Sequence, residues 1–303
     1  MKKAKLTLGP LFYHWPAEKR RDFYFQIADE SDFDVVYLGE VVCSKRESFF
    51  EPHLQSVIDR LRNAGKEIVF STLALITTKN EMESVRAFAD CDCLVEANDV
   101  AALQALQGKP FVVGPFINVF NEGSLDFVRG QGAVRVVFPV EMTEVAMGSL
   151  AAGAKGFETE VQVFGRQPLS VSMRCYHARA NGANKDSCRF ACGGDPEGLP
   201  IETIDGESFL TVNGTQLLSR GYVVLFDEMK KLQAQGVTHF RLAPQSLDMV
   251  RIAALYRAVF KGEIEAESAC ANLREITGNV PFVNGFQHAR EGLSWVEKGG
   301  ESA

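Results

Sequence analysis

Short apolar runs recur along most of the chain, and between them apolar residues return at helical spacing. Residues 4–8, 33–39, 67–72, 93–96, 110–115, 134–139, 158–164 and 239–244 read as strands. They are short, apolar and rich in β-branched residues, as strands are when both faces of a sheet are covered. Helical patterns fill 16–30, 48–64, near 80–89, onward from Asp99, near 121–130, near 142–152, 227–235 and 246–260. Pro16 suits a first helical turn, Gly65 a helix end and Asp99 an N-cap. Strands that alternate with helices imply parallel pairing through crossover helices. About eight such strands predict a (β/α)8 barrel rather than an open doubly wound sheet. No G-x-G-x-x-G follows the first strand, which removes the commonest dinucleotide-binding reason for the open sheet.

Residues 165–225 break this rhythm. They contain a cysteine-bearing loop, then G-D-P-E-G-L-P, then F-L-T-V-N-G-T-Q-L-L, which reads as a hairpin turning at Asn213-Gly214 in type I′. The segment is expected as an elaboration inserted after about the seventh strand, lying over the barrel mouth. The chain carries no internal repeat, low-complexity tract or linker, so residues 1–303 are expected to form one barrel domain with a frayed tail at 297–303.

Composition changes this picture little. Of 303 residues, 46% are hydrophobic and 23% charged, enough for a large core. The net charge of -7 gives no broad basic surface for nucleic acid. No apolar run reaches the roughly 18 residues of a membrane span, and the opening M-K-K-A-K-L-T-L-G-P is too short in its apolar part for a signal peptide. Seven cysteines without regular spacing fit a reducing compartment, so a soluble, cytoplasmic protein is expected.

The cysteines carry the clearest chemistry. Cys175, Cys188 and Cys192 form C-x12-C-x3-C within R-C-Y-H-A-R-A-N-G-A-N-K-D-S-C-R-F-A-C-G-G. Cys43 stands far upstream in V-V-C-S-K-R, in a setting like that of Cys175: an apolar run, the thiol, then basic residues. Four thiolates can hold one iron–sulfur cluster. Lys45, Arg46, Arg174, Arg179, Lys185 and Arg189 lie beside them in sequence and would offset the negative charge of such a site. Two other readings stay open: a structural zinc site, which more often shows two close C-x2-C pairs, and unrelated thiols in a loop. Cys91 and Cys93, at the start of a strand, and Cys270, in a helix, read as small apolar residues. His177 reads as a neighbour of the thiol site or a surface residue rather than a ligand.

In a (β/α)8 barrel, chemistry sits at the C-terminal ends of the strands. Those positions hold Glu40, Thr72, Glu96, Asn118, Glu141 and Gln245. Glu40, Glu96 and Glu141 are the catalytic candidates: facing one cavity they could bind a metal or a cation, or move protons. Acids at these places also cap helices and bond loop amides. Tyr13, His14 and Trp15, after the first strand, could line the mouth, bind a flat ring, or pack.

V-Y-L-G-E-V-V-C-S-K-R, S-T-L-A-L, P-V-E, S-x-R-C with a downstream C-x3-C, V-N-G-T-Q and R-L-A-P-Q occur in this order between about residue 6 and residue 260. Together they resemble the collagenase-like peptidase family of type U thirty-two, and within it the members that serve ubiquinone biosynthesis. The resemblance implies a 4Fe–4S cluster on Cys43, Cys175, Cys188 and Cys192. It also implies a heterodimer with a UbiU-like sister subunit, a UbiT-like lipid-binding accessory protein, and oxygen-independent hydroxylation of a quinone precursor. A peptidase acting through the strand-end carboxylates, and a non-catalytic subunit whose cluster is structural, are the alternatives. No serine, cysteine or zinc protease spacing is present.

Overall fold

The computed structural model describes residues 4–297, so the expected tail at 297–303 lies outside the described residues except for Glu297. Seven strands open the chain: β1 (Lys5–Leu8), β2 (Val35–Gly39), β3 (Glu67–Ser71), β4 (Leu94–Ala97), β5 (Phe111–Val113), β6 (Ala133–Val137) and β7 (Glu158–Val171). Between them run α1 (Ala17–Glu30), α2 (Glu47–Asn63), α3 (Lys79–Ala89), α4 (Val100–Ala105), α5 (Glu122–Gly130) and α6 (Glu144–Gly153). The short α7 (Tyr176–Ala180) follows, then β8 (Leu199–Glu202), β9 (Ser208–Asn213) and β10 (Gln216–Val224). Next come α8 (Phe226–Gln235), β11 (His239–Leu242), α9 (Met249–Lys261), α10 (Ala266–Thr277) and β12 (Phe282–Val283).

Strands β1 to β7 lie side by side in parallel, and β11 pairs with both β7 and β1. That pairing closes a (β/α)8 barrel. Side-chain alternation sets its two layers. Leu6, Val36, Leu38, Phe70, Val95 and Phe240 belong to the large outer core. Val35, Tyr37, Val69, Val112 and Val137 form a separate, smaller cluster.

Charged residues fill other inward positions. Arg241 Nη2 lies 2.7 Å from Glu96 Oε1, and its Nε 2.7 Å from Glu160 Oε1. Arg135 Nη2 reaches Glu67 at 2.7 Å and Glu158 at 2.9 Å. Tyr37 donates to Glu160 Oε2 at 2.6 Å, and Thr7 donates to Glu160 Oε1 at 2.7 Å. Buried charges persist where they are paired and hydrogen-bonded, and this network meets that condition. Glu96 belongs to it: β4 runs on through Ala97, so the carboxylate is fully buried beneath the mouth instead of facing it. The expectation that it stands on an open cavity is corrected by its pairing with Arg241.

The long β7 joins barrel and insertion. Its first half pairs with β6 and β11, its second half with antiparallel β10. The change falls at Gly165, whose φ is +99 and whose added Cβ would lie 2.8 Å from the Ala243 carbonyl oxygen. Strands β8, β9 and β10 form an antiparallel ribbon beyond it, and β12 pairs in parallel with β10. The hairpin between β9 and β10 turns one residue later than its sequence suggests. Asn213 pairs with Gln216, and of the two central residues only Gly214 has a positive φ, +63. A type I′ turn needs positive φ at both central positions; a glycine at the first alone fits type II′. Among the described residues, no helix is long and apolar enough to cross a membrane.

Burial would raise the Glu160 pKa, but Arg241 and Arg135 outweigh it and hold it at about 2. The carboxylate's contribution to stability is therefore complete above its ordinary 4.5 and is lost as pH falls toward 2. Glu160→Gln leaves Arg241 and Arg135 short of one counter-charge and is expected to cost about 3–5 kcal/mol at pH 7. Urea unfolding of both proteins at pH 7 and pH 3 checks this: the gap between them should narrow at the lower pH.

Candidate metal centre

Cys43, Cys175, Cys188 and Cys192 line one cavity on the C-terminal side of the barrel. Two parts of the chain bring them there. Cys43 follows β2 in extended conformation, just before a single 3-10 turn at Ser44–Arg46. The other three come from the insertion. Cys175 is the N-cap of α7, its sulfur accepting from the Ala178 N–H at 3.4 Å. Cys192 lies in a 3-10 turn at Ala191–Gly194. Between Cys188 and Cys192 the backbone passes through Arg189 (φ 46) and Phe190 (φ 54). Two consecutive non-glycine residues in the left-handed region are costly and persist only where surrounding contacts enforce them. Here they turn the chain back so that both thiols reach the same cavity.

Arg46 lines the cavity, and Glu40 braces the Cys43 loop beside it. Glu40 Oε1 accepts from the Val42 N–H at 2.9 Å and the Cys43 N–H at 3.1 Å. Arg46 is 2% exposed and lies 3.9 Å from the same oxygen. Its guanidinium donates to the Phe12 carbonyl at 2.7 Å and to Asn213 Oδ1 at 3.3 Å, and its charge acts on the Cys192 sulfur. The hairpin tip packs so closely against it that a Cβ on Gly214 would meet Arg46 Nη2 at 2.6 Å. His177 is buried on the same cavity. Its Nδ1 accepts from the Gly214 N–H at 2.8 Å, which leaves Nε2 to donate to Asp195 at 3.1 Å. Lys45 reaches across the opening to the Lys185 carbonyl at 2.8 Å.

Burial raises the pKa of Cys192, Arg46 opposes it through its charge and hydrogen bond, and Cys175 and Cys188 add to the rise. Burial likewise raises Cys43, against the Lys45 N–H and the charges of Arg46 and Lys185. Thiols in this setting keep their protons until a cation replaces them. The donor set, four sulfurs with two lysines and an arginine at hand, fits an anionic iron–sulfur cage. Cys43, Cys175, Cys188 and Cys192 would hold it. Among the described residues, no three His, Cys, Asp or Glu side chains gather on one point as ligands of a single ion.

The other candidates are dispersed. Glu40 is committed to the Cys43 loop, Glu96 to the barrel interior, and Glu141 is exposed on a different groove. The three carboxylates therefore do not share one cavity. Tyr13 is buried and donates to Gln245 at 3.0 Å, while the Trp15 indole donates to the Pro196 carbonyl at 2.8 Å. His14 packs against Phe49 and Phe190 at ring distances of 5.1 and 5.6 Å. Burial, with Arg46 and Arg20 adding to it, lowers its pKa to about 4, so it is neutral at pH 7. Cys91 and Cys93 sit in a bend before β4 rather than in the strand, and Arg62 donates to Cys93 at 3.3 Å. Cys270 lies in α10. The roles of Arg46, Asn213 and Asp195 are set by contacts distant in sequence. The basic run after Cys43 is the one local sign of any of them.

Fold and site define a (β/α)8 barrel whose inserted ribbon completes a four-cysteine cavity. The chain matches the model of Peptidase family U32 over residues 17–295 and belongs to that family. Among solved structures it is similar to dihydropteroate synthase from Thermus thermophilus, at 14% identity and TM-score 0.40, covering 86% of this chain and 94% of that one. It is also similar to a tryptophan synthase complex from Pyrococcus furiosus, at 12% identity and TM-score 0.38, covering 91% and 99%. These likenesses are distant, and the barrel assignment stands on strand order.

Glu40→Ala leaves two loop N–H groups without their acceptor and the buried Arg46 without its counter-charge. It is expected to cost about 3–5 kcal/mol and to free the Cys43 loop. Thermal unfolding, with the rate at which Cys43 reacts with iodoacetamide, measures both: unfolding should come earlier and alkylation should be faster.

Proposed function

We propose that this chain is a UbiV-like iron–sulfur subunit. It acts with a UbiU-like sister subunit in the oxygen-independent hydroxylation of a ubiquinone precursor, which a UbiT-like lipid-binding protein delivers. The observation that carries this reading is the convergence of Cys43 with Cys175, Cys188 and Cys192 on one cavity. Membership of Peptidase family U32 supports it, since the ordered motifs resemble the ubiquinone-biosynthesis members of that family. The family's peptidase name finds little support in the site, because the strand-end carboxylates are dispersed and two of them are tied to structural partners.

A 4Fe–4S cluster held there would supply one-electron transfer. The chain's own residues do the rest. Arg46, Lys45 and Lys185 supply positive charge beside the sulfurs. Glu40 fixes the backbone that presents Cys43. His177 locks the hairpin tip onto α7 and keeps its Nε2 proton directed at Asp195. Phe190, with Phe49 at 4.7 Å and His14 beside them, covers the cavity with aromatic surface.

After anaerobic reconstitution with iron and sulfide, the native chain is expected to bind about four irons. Cys43→Ala, Cys175→Ala, Cys188→Ala and Cys192→Ala should each lower iron content and bleach the visible spectrum. Cys91→Ala, Cys93→Ala and Cys270→Ala should leave both intact. A deletion strain should lose ubiquinone only in the absence of oxygen. A zinc-loaded, colourless protein, or normal anaerobic ubiquinone in the deletion strain, would overturn the reading.

A further inference from the structure

Two thiols outside the four-cysteine cavity stand together. Cys91 and Cys93, with Asp92 between them, occupy the bend that joins α3 to β4. This is the N-terminal end of β4, across the barrel from the thiol cavity on the C-terminal side. Both cysteines are half-buried and pack against the edge of the core.

Their contacts are unequal. Arg62, exposed in the last turn of α2, donates from Nη2 to the Cys93 sulfur at 3.3 Å. Asp59 and Asp92 are near enough for their charges to act on Arg62, yet it forms no ion pair with a described carboxylate. A guanidinium bond of this kind is strongest to a sulfur that carries negative charge. The Cys91 sulfur instead donates to the Cys93 carbonyl oxygen at 3.5 Å, which places it against its neighbour's peptide. Burial pushes the Cys91 thiol up, so it keeps its proton at pH 7.

The surroundings leave Arg62 as the cation that serves Cys93. The ends of α2 and α3 meet at this corner, and helix C-termini carry partial negative charge. Lys109 is taken up by the Ala89 carbonyl, at 2.7 Å, and by Asp90, at 3.0 Å. The geometry also lets the two sulfurs join. Two residues span about 6.6–7.2 Å when fully extended, and the bend shortens that. Disulfides bridge Cα atoms about 4.4–6.8 Å apart. The β4 ladder begins at Leu94, so a bridge between Cys91 and Cys93 unpairs no strand.

We propose that Cys93 is a peroxide-reactive thiol and Cys91 its resolving partner, which makes this corner a reversible dithiol–disulfide site. The Cys93 thiolate attacks one oxygen of hydrogen peroxide: the S–O bond forms, the O–O bond breaks and hydroxide leaves. The Cys91 sulfur then attacks the Cys93 sulfur. The S–S bond forms, the S–O bond breaks, and the hydroxyl leaves as water with the Cys91 proton. The proton that Cys93 gave up converts the first hydroxide to water. Two thiols thus lose two electrons, and one peroxide becomes two waters. Cys270 gives the contrast: it is the one cysteine of α10, and burial pushes its thiol up to about 11. The site is independent of any metal in the thiol cavity.

The test is peptide mapping after brief treatment of the reduced full chain with equimolar hydrogen peroxide at pH 7. Remaining thiols are blocked with iodoacetamide in denaturant, and the chain is cut with trypsin. Cleavage after Arg86 and Arg129 releases a peptide that holds Cys91 and Cys93 and no other cysteine. The native protein should yield this peptide two hydrogens lighter and unalkylated, with Cys270 alkylated, and dithiothreitol should restore both thiols. Cys91→Ser should stop at a Cys93 sulfenic acid, captured by dimedone, and Cys93→Ser should leave Cys91 a free thiol. Arg62→Ala should slow disulfide formation about three- to fivefold, the scale of one exposed charge contact. Arg62→Lys should recover most of the rate, which a merely structural arginine would not predict. An unchanged melting temperature shows that each variant folds. A native peptide that stays fully alkylated overturns the proposal. So does a bridge from either thiol to any other cysteine in place of this one, or a rate that Arg62→Ala leaves unchanged.

Discussion

One buried guanidinium holds the functional end of this protein together. Arg46 bonds the loop after β1 through Phe12 and the hairpin tip through Asn213, its charge acts on the Cys192 sulfur, and it sits beside Glu40. Lysine could not replace it, because these partners lie in different directions and need the fixed fork of an arginine. Burial would depress the charge of Arg46, but Glu40, Cys192 and Cys43 favour it. The carboxylate, the arginine and the sulfurs are therefore one electrostatic unit. Glu40 fits this unit as the counter-charge that keeps Arg46 in place while its oxygen shapes the Cys43 backbone.

The same logic operates inside the barrel at larger scale. Arg241 joins Glu96 on β4 to Glu160 on β7, and Arg135 on β6 reaches Glu67 on β3 and Glu158 on β7. Two of these ties, Arg241–Glu96 and Arg135–Glu67, cross the interior between strands that are not neighbours in the sheet. Apolar filling is tolerant of small shifts, whereas paired ions demand a particular geometry. The network thus sets the relative heights of the strands, and with them the level at which the loops after β2 and β7 emerge. The thiol cavity is built from those loops.

Much of this architecture was legible in the residues. The recurrence of V-V-Y-L, I-V-F-S and F-V-V between amphipathic stretches implies parallel strands under helices, and Asp99 caps its helix through the Ala101 N–H as its position suggests. The cysteine set was legible because loops dense in glycine and charge give thiols no apolar reason to be there. Glu96 was misplaced at the mouth because an acid inside a short apolar strand looks like the strand's end; its partner Arg241 is far away in sequence. The turn at Gly214 is shifted for a similar reason. Asn213 is drawn into pairing by its bonds to Arg46 and Phe12, and no local signal records that. Arg46 itself read as one of six basic residues beside the cysteines in sequence, since only the closed barrel shows what surrounds it.

The split origin of the thiols has a consequence for how the protein matures. Cys43 leaves the ribosome on the order of ten seconds before Cys192, at about 5–20 residues per second. The hairpin tip that completes the cavity is made later still, and β11, which closes the barrel, after that. A nascent chain can therefore show three of the thiols together, on the 175–192 segment, but never all four in register until the ring of strands has shut. The four-thiol cavity therefore exists only on the finished barrel, and it is reached through the opening that Lys45 and Lys185 span.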